Sequence, residues 1–204
     1  MIDYSIFKNF KPNQTAGERM SLPAGIYEGR IIQAKVEEHG DLKALLIYVE
    51  IEKGEYAGFF RRQYDNQQGS QYSIKYKGIY RIQLPDGLNE EHDNWRQHQL
   101  EGAIWAIEDG NPGFKWDWDE AKLKGMKVGL NVRERDYYVN HKFGTTTEIG
   151  RLESISKIND PDQSKRPKPM KKRELKERDK RQMADDEANK ATGFVEVTDE
   201  KLPF

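Results

Sequence analysis

Apolar and polar positions set out a succession of short extended segments before any helical pattern begins. Leu22-Pro23-Ala24-Gly25 reads as a turn. The β-branched and aromatic run from Ile26 to Val36 that follows predicts a strand. Gly29 inside it predicts a bulge or a sharp bend. His39-Gly40-Asp41 is a second turn, and Leu42–Glu52 predicts a second strand, apolar enough to be buried on much of both faces. Gly54 and Gly58 punctuate the next connection, after which Phe59–Tyr64 predicts a third strand. Residues 65–78 are polar and hinge at Gly69 and Gly78, as a long loop or an extended hairpin. Gly78–Leu84 reads as another short strand or the start of a helix, closed by the Pro85-Asp86-Gly87 turn.

The period then changes. Trp95, Leu100, Ala103, Ile104 and Ile107 recur mostly at three- and four-residue spacing, which predicts a helix over Glu90–Glu108. Asn89 starts it with acids in the first turn, and Gly110-Asn111-Pro112-Gly113 stops it. Asp119–Lys124 reads as a turn or short helix with Asp119 as its cap. Met126–Val139 predicts a strand, 140–144 a loop, and Thr145–Ile158 the last strand. The spacing of Ile149, Leu152, Ile155 and Ile158 departs from period two, which places a bulge near Gly150.

Five strands with a helix between the third and fourth predict a mainly β domain over 22–158, a five-stranded OB-fold barrel. SH3-like barrels also have five strands; the helix position favours the OB arrangement. Residues 1–21 carry Tyr4, Phe7 and Phe10. They read equally as an arm packing on the domain or on a second subunit of a homo-oligomer, or as a frayed terminus. After Asn159 the composition shifts to Pro161, Pro167 and Pro169, then to ten basic and three acidic residues over 165–181. A disordered charged linker is expected over 159–197, with a transient helix over 170–184, followed by a separate tip over 198–204.

Composition adjusts this picture. Mean hydropathy is −0.99 over 204 residues and 35% are hydrophobic, so one folded domain with polar extensions is expected. Thirty-four basic against 35 acidic residues give a net charge of −1, which excludes a diffusely basic protein. Any nucleic-acid contact must come from local clustering. With no cysteine, disulfides, thiolate zinc sites and cysteine nucleophiles are excluded. The first residues lack a basic start and an apolar run, and no stretch is apolar enough to cross a membrane, so a cytoplasmic location is expected. His39, His92, His98 and His141 match no zinc or triad spacing, and no nucleophile elbow, P-loop or dinucleotide fingerprint is present. No catalytic residue, cofactor or metal is expected.

The chemistry gathers in four places. From Phe59 to Arg81, the cations Arg61, Arg62, Lys75, Lys77 and Arg81 face a single acid, Asp65. Aromatics interleave with them, chiefly Tyr64, Tyr72 and Tyr76, and also Phe59, Phe60 and Tyr80. Single strands are held by cations along phosphates and aromatics against bases. A solvated hairpin with tyrosines packed on the barrel is the bland alternative. Arg133 and Arg135 share a strand face with Tyr137 and either extend this groove or pair with neighbouring acids. Trp105, Trp116 and Trp118 are either stacking platforms or core. Asp117, Asp119 and Glu120 gather carboxylates, but a metal would need further convergent ligands. Finally, Asp199-Glu200-Lys201-Leu202-Pro203-Phe204 joins acids to an apolar end. A terminal Phe and carboxylate suit capture in a partner's pocket.

Leu202-Pro203-Phe204 after Asp199-Glu200 resembles the acidic tip of bacterial single-stranded-DNA-binding proteins. The body resembles single-stranded-DNA-binding proteins of phages of Gram-positive bacteria through Leu22-Pro23-Ala24-Gly25-Ile26-Tyr27, Ile51-Glu52-Lys53-Gly54-Glu55-Tyr56-Ala57-Gly58 and Leu123-Lys124-Gly125-Met126-Lys127-Val128-Gly129. The likeness covers roughly 20–158 and the last six residues. It implies a non-enzymatic coat for single-stranded DNA in phage replication and recombination, acting in the host cytoplasm. Leu202, Pro203 and Phe204 would recruit replication or recombination proteins. Lys201 interrupts the acidic run, and the basic segment differs from the Gly/Gln-rich linker of the family. A phage adaptor acting through its tail without binding DNA is the alternative from another class. A nuclease using Asp117, Asp119 and Glu120 is a third.

Overall fold

A computed structural model describes residues 21–40, 42–67 and 75–191. Strand β1 (Gly25–His39) pairs antiparallel with β2 (Leu42–Ile51) along one edge. Its first residues, Gly25–Arg30, pair with β4 (Lys127–Val139) along the other. β2 carries β3 (Ile79–Gln83) and β4 carries β5 (Lys142–Glu153), so the sheet runs β3-β2-β1-β4-β5. Between β3 and β4 lies helix α2 (Glu90–Gly110), packed against β3, β4 and β5. The predicted five strands and intervening helix are present.

The sheet does not close into a barrel among the described residues. β3 and β5 approach each other, yet among the described residues no ladder joins them. β3 has only five residues, all of them paired with β2 from Ala44 to Tyr48.

A second difference lies at Phe59–Tyr64. This segment is not the third strand but helix α1 (Phe59–Asp65), and Ile79–Gln83 is the third strand instead. Phe59 and Phe60 are adjacent and both buried, which a strand with alternating faces does not allow on a one-sided sheet. Gly58 enters the helix with φ +72 and offers no side-chain cap. The cap comes from β2: the Glu50 carboxylate accepts from the Phe60 amide at 3.0 Å and from the Arg61 amide at 2.6 Å. Arg61 and Asp65 pair one turn apart at 3.1 Å.

The bulges follow two glycines only in part. Gly150 is the residue left unpaired where β5 slips against β4 at Asn131/Val132, as the spacing predicts. In β1 the irregularity falls at Ile32, between Ile31 and Gln33. Gly29 marks a close crossing instead: a Cβ there would sit 2.7 Å from the Glu50 carbonyl oxygen and 2.9 Å from the Leu130 side chain. The last strand ends at Glu153, and Ile155–Ile158 forms a single turn, α3, capped by Ser154. The β4–β5 connection is two residues, Asn140 and His141, both at positive φ, which lets Lys142 pair at once with Val139. Asn89 caps α2 by accepting from His92, and Asp119 caps the 3-10 turn Glu120–Leu123 by accepting from Ala121.

Inward residues of the five strands meet Leu22, Phe59, Phe60, Ile107 and Leu123 in one core. The expectation of disorder after residue 158 is not met over 159–191. The chain there runs as a strap across the β4–β5 hairpin and ends in α4 (Glu177–Ala191), seven residues later than the helix expected at 170. Beyond Gly25, β4 has a free edge that β1 no longer covers. Arg173 fills it, donating to the Glu134 carbonyl at 2.8 Å and accepting from the Asp136 amide at 2.9 Å. Asn131, fully buried, holds the strap at two more points. Its amide donates to the Lys168 carbonyl at 3.0 Å, and its oxygen accepts from the Met170 amide at 3.1 Å. Tyr138 donates to Asp186 of α4 at 2.6 Å, and this pairing pushes the phenol up to about 12. No described helix is long and apolar enough to cross a membrane. The arm 1–20 and the tip 198–204 lie outside the described residues.

Candidate nucleic-acid interface

Cross-strand pairing fixes which side chains leave the sheet together. Gln33, Tyr48 and Ile79 form one row on the side away from the core; Lys35, Leu46 and Arg81 the next; Glu37, Ala44 and Gln83 a third, with Leu46 and Ala44 themselves buried beneath their longer neighbours. Their chain neighbours Leu45, Ile47, Tyr80 and Ile82 point into the core. The bulge at Ile32 sets this parity, because it lets Ile31 face inward while Gln33 and Lys35 face outward.

Aromatic rings extend the face toward α1. Tyr48 and Tyr76 lie 6.2 Å apart with planes 32° from parallel, and Tyr76 and Tyr64 lie 6.1 Å apart. All three are half-buried. Tyr76 is pinned: its hydroxyl sits 2.8 Å from the Val49 carbonyl and 3.1 Å from the Glu50 carboxylate. Burial, then the Glu50 charge, raises the Tyr76 phenol far above its ordinary range, so it stays a neutral donor. Glu50 thus fixes both α1 and the central ring of the row.

Cations surround the rings. The Lys35 ammonium lies 5.6 Å from the Tyr48 ring centre. It also pairs with Glu37 at 2.7 Å; that contact, with Tyr48, holds it above the usual lysine range. Arg81 meets the same Glu37 at 3.8 Å, and Arg61 meets Asp65. These pairs are solvent-exposed, and such pairs are worth ~0–1 kcal/mol. A phosphate therefore competes for the cations at little cost. Lys75 and Lys77 flank Tyr76 and are exposed.

Of the residues singled out from the sequence, Arg61, Tyr64, Lys75, Tyr76, Lys77 and Arg81 are brought to this region. Arg62 turns back to donate to the Ala57 carbonyl. Tyr72 lies outside the described residues. Phe59, Phe60 and Tyr80 are core. Arg133 and Arg135 do share a face, but they converge with Arg173 on Glu148, at 2.9, 3.3 and 3.3 Å respectively. Tyr137 lies across Gly144, where a Cβ would stand 2.5 Å from its ring. That hairpin face is occupied by its own ion pairs and joins no part of the tyrosine row. Trp116 is half-buried and donates to the Asp119 carbonyl at 2.9 Å, while Trp105 and Trp118 are exposed. Asp117 pairs with Lys122, and Asp119 is spent on its cap. The described residues hold no group of three or more His, Asp or Glu side chains placed for a metal.

Lys35, Tyr48 and Glu50 are part of the site but were not read from the sequence. A signal existed in the polar alternation of Gln33, Lys35 and Glu37 along β1. The Ile31–Ile32 doublet at the bulge concealed it. No protein-family model matches the chain, and no curated protein sequence matches it.

Proposed function

We propose that the chain binds single-stranded DNA without sequence preference, on the outward face of β1, β2 and β3 beside α1. The observation that carries this is the Tyr48–Tyr76–Tyr64 row with Lys35, Arg61 and Arg81 around it. Rings of this kind give bases a stacking surface, and cations beside them track the backbone. The strand order with a gap between β3 and β5, and the helix between β3 and β4, fits a partly open OB barrel whose strand 2–3 face carries the ligand. The role that suits such a module is a non-enzymatic coat in phage DNA replication and recombination. Leu202-Pro203-Phe204 would then recruit the proteins that act on the coated strand.

The test is fluorescence anisotropy of the full-length chain with labelled oligo-dT, a mixed-sequence single strand and a duplex, at two salt concentrations. Similar salt-sensitive affinity for both single strands and weaker affinity for the duplex is the expected result. Failure to bind either single strand refutes the reading and leaves the adaptor role.

A further inference from the structure

Away from the tyrosine row, a cleft of about 410 Å³ opens between α2, the end of β5 and the start of the strap. Its floor is apolar, made by Ala103, Leu152 and Pro167. On α2, His98, Gly102 and Trp105 follow one another at four- and three-residue spacing along the helix face that borders it. Trp105 is 51% exposed, although it sits on a helix whose neighbours Ala103, Ala106 and Ile107 are core. Gly102 has nothing within 4 Å of where a Cβ would stand, so the helix backbone is open beside the indole. A glycine in mid-helix costs roughly 1 kcal/mol against alanine. Packing does not explain it here.

The rim is cationic. Arg151, Lys157 and Lys165 line the cleft from β5, α3 and the strap. The carboxylate among the lining residues, Glu153, is buried and already accepts from Asn131 at 2.8 Å and from Arg151. Lys157 has no ion pair among the described residues, and Lys165 has only a loose one with Asp162 at 3.6 Å. A flat aromatic, an open backbone beside it and cations around an apolar floor match a planar base joined to phosphates.

We propose that this cleft is a second contact for the single strand. One base lies against Trp105, and the flanking phosphates meet Arg151, Lys157 and Lys165. The inference rests on the single-strand reading above. It gives the strap a part in binding, since Pro167 and Lys165 close one wall.

The experiment uses full-length protein labelled with 5-fluorotryptophan. Its four fluorine resonances are assigned by single Trp→Phe variants and titrated with a twenty-nucleotide oligo-dT. Anisotropy is read in parallel. A saturable shift of the Trp105 resonance is expected, with the Trp118 resonance unmoved. Lys157→Glu with Lys165→Glu should abolish the shift, and Trp105→Ala should weaken oligo-dT binding about tenfold. A fixed Trp105 resonance while the strand binds overturns the cleft and leaves the sheet face standing. A Trp105 shift with affinity indifferent to Tyr48→Ala and Arg81→Glu supports the cleft and removes the sheet face. No binding by either readout overturns both. A Trp105 resonance that moves on removal of residues 198–204 but not on adding oligo-dT assigns the cleft to the chain's own end and overturns the proposal.

Discussion

Tyr48 is the residue on which the sheet-face reading turns. It leaves β2 between Gln33 and Ile79, has Lys35 near its face, and stacks toward Tyr76. Its ring is not among the buried core, so Tyr48→Ala should leave the thermal unfolding midpoint within a few degrees. The same variant should weaken single-strand binding by ~1–3 kcal/mol, read by anisotropy. Glu37 makes the opposite prediction. Its carboxylate sits between Lys35 and Arg81, where a phosphate would compete with it. Glu37→Gln removes the competitor and frees two cations, so affinity should rise a few-fold at low salt and the gain should fade as salt rises. Loss of affinity in Glu37→Gln would show that Glu37 positions the cations rather than competing for them. Asp86 belongs to stability. The Leu88 amide and then Arg96, 2.6 Å away, hold its carboxyl below the usual aspartate range. A depressed carboxylate stabilises the fold above the unfolded value near pH ~4 and loses that contribution as pH falls through its native value. Asp86→Asn should therefore lower the urea midpoint at pH 7 while making the midpoint less sensitive to acidification below about pH 4.

At the scale of elements, the strap is the least expected feature and the most easily tested. Asn131 stands in for a strand partner, giving one bond and taking one from alternate residues of 168–170. Met170 lies over Gly150, 2.7 Å from where a Cβ would be, so the bulge and the strap fit each other. Asn131→Ala leaves the Lys168 carbonyl, the Met170 amide and Glu153 short of partners, a loss of ~1–3 kcal/mol if they stay buried. The strap should then open, and limited proteolysis should cut within 165–176 well before it cuts the wild type. Equal cutting rates would show that Arg173 and α4 hold the strap without Asn131. A helix near its end was expected, but the strap's docking was not legible in the sequence, because a Pro- and Lys-rich run has the composition of a solvated linker, while its anchors lie on other elements. The sheet was legible where apolar, β-branched runs are bounded by turn residues: β1, β2 and β4 fall close to their predicted limits, as does the capped start of α2. Phe59–Tyr64 misled because two adjacent phenylalanines score as strand formers. What makes the segment a helix is the Glu50 carboxylate, distant in sequence. The candidate site was half legible for the same reason. Arg61, Tyr76 and Arg81 come from one continuous stretch, whereas Lys35 and Tyr48 join it only through a register that a bulge shifts.

For the whole molecule, a net charge of −1 makes the distribution of charge the quantity that matters. The sheet face presents Lys35, Arg61, Lys75, Lys77 and Arg81, and the cleft presents Arg151, Lys157 and Lys165. Each phosphate neutralised on a single strand contributes ~0.7 to the log–log salt slope. A strand held on the sheet face alone is then limited to a slope of about 3.5, and one that also reaches the cleft to about 5.6. The nearby Glu37 and Asp65 lower both figures, but they lower them together, so the difference between the two survives. Lys157→Glu with Lys165→Glu should reduce the slope by at least ~1.4 for an oligonucleotide long enough to span both places, and by nothing for one too short to do so. The length dependence is what separates a continuous path from general attraction. Diffuse attraction to a basic strap would lower the slope for short and long strands alike. That result would reduce the strap to a source of non-specific affinity, while a loss confined to long strands would make residues 159–176 part of the binding surface.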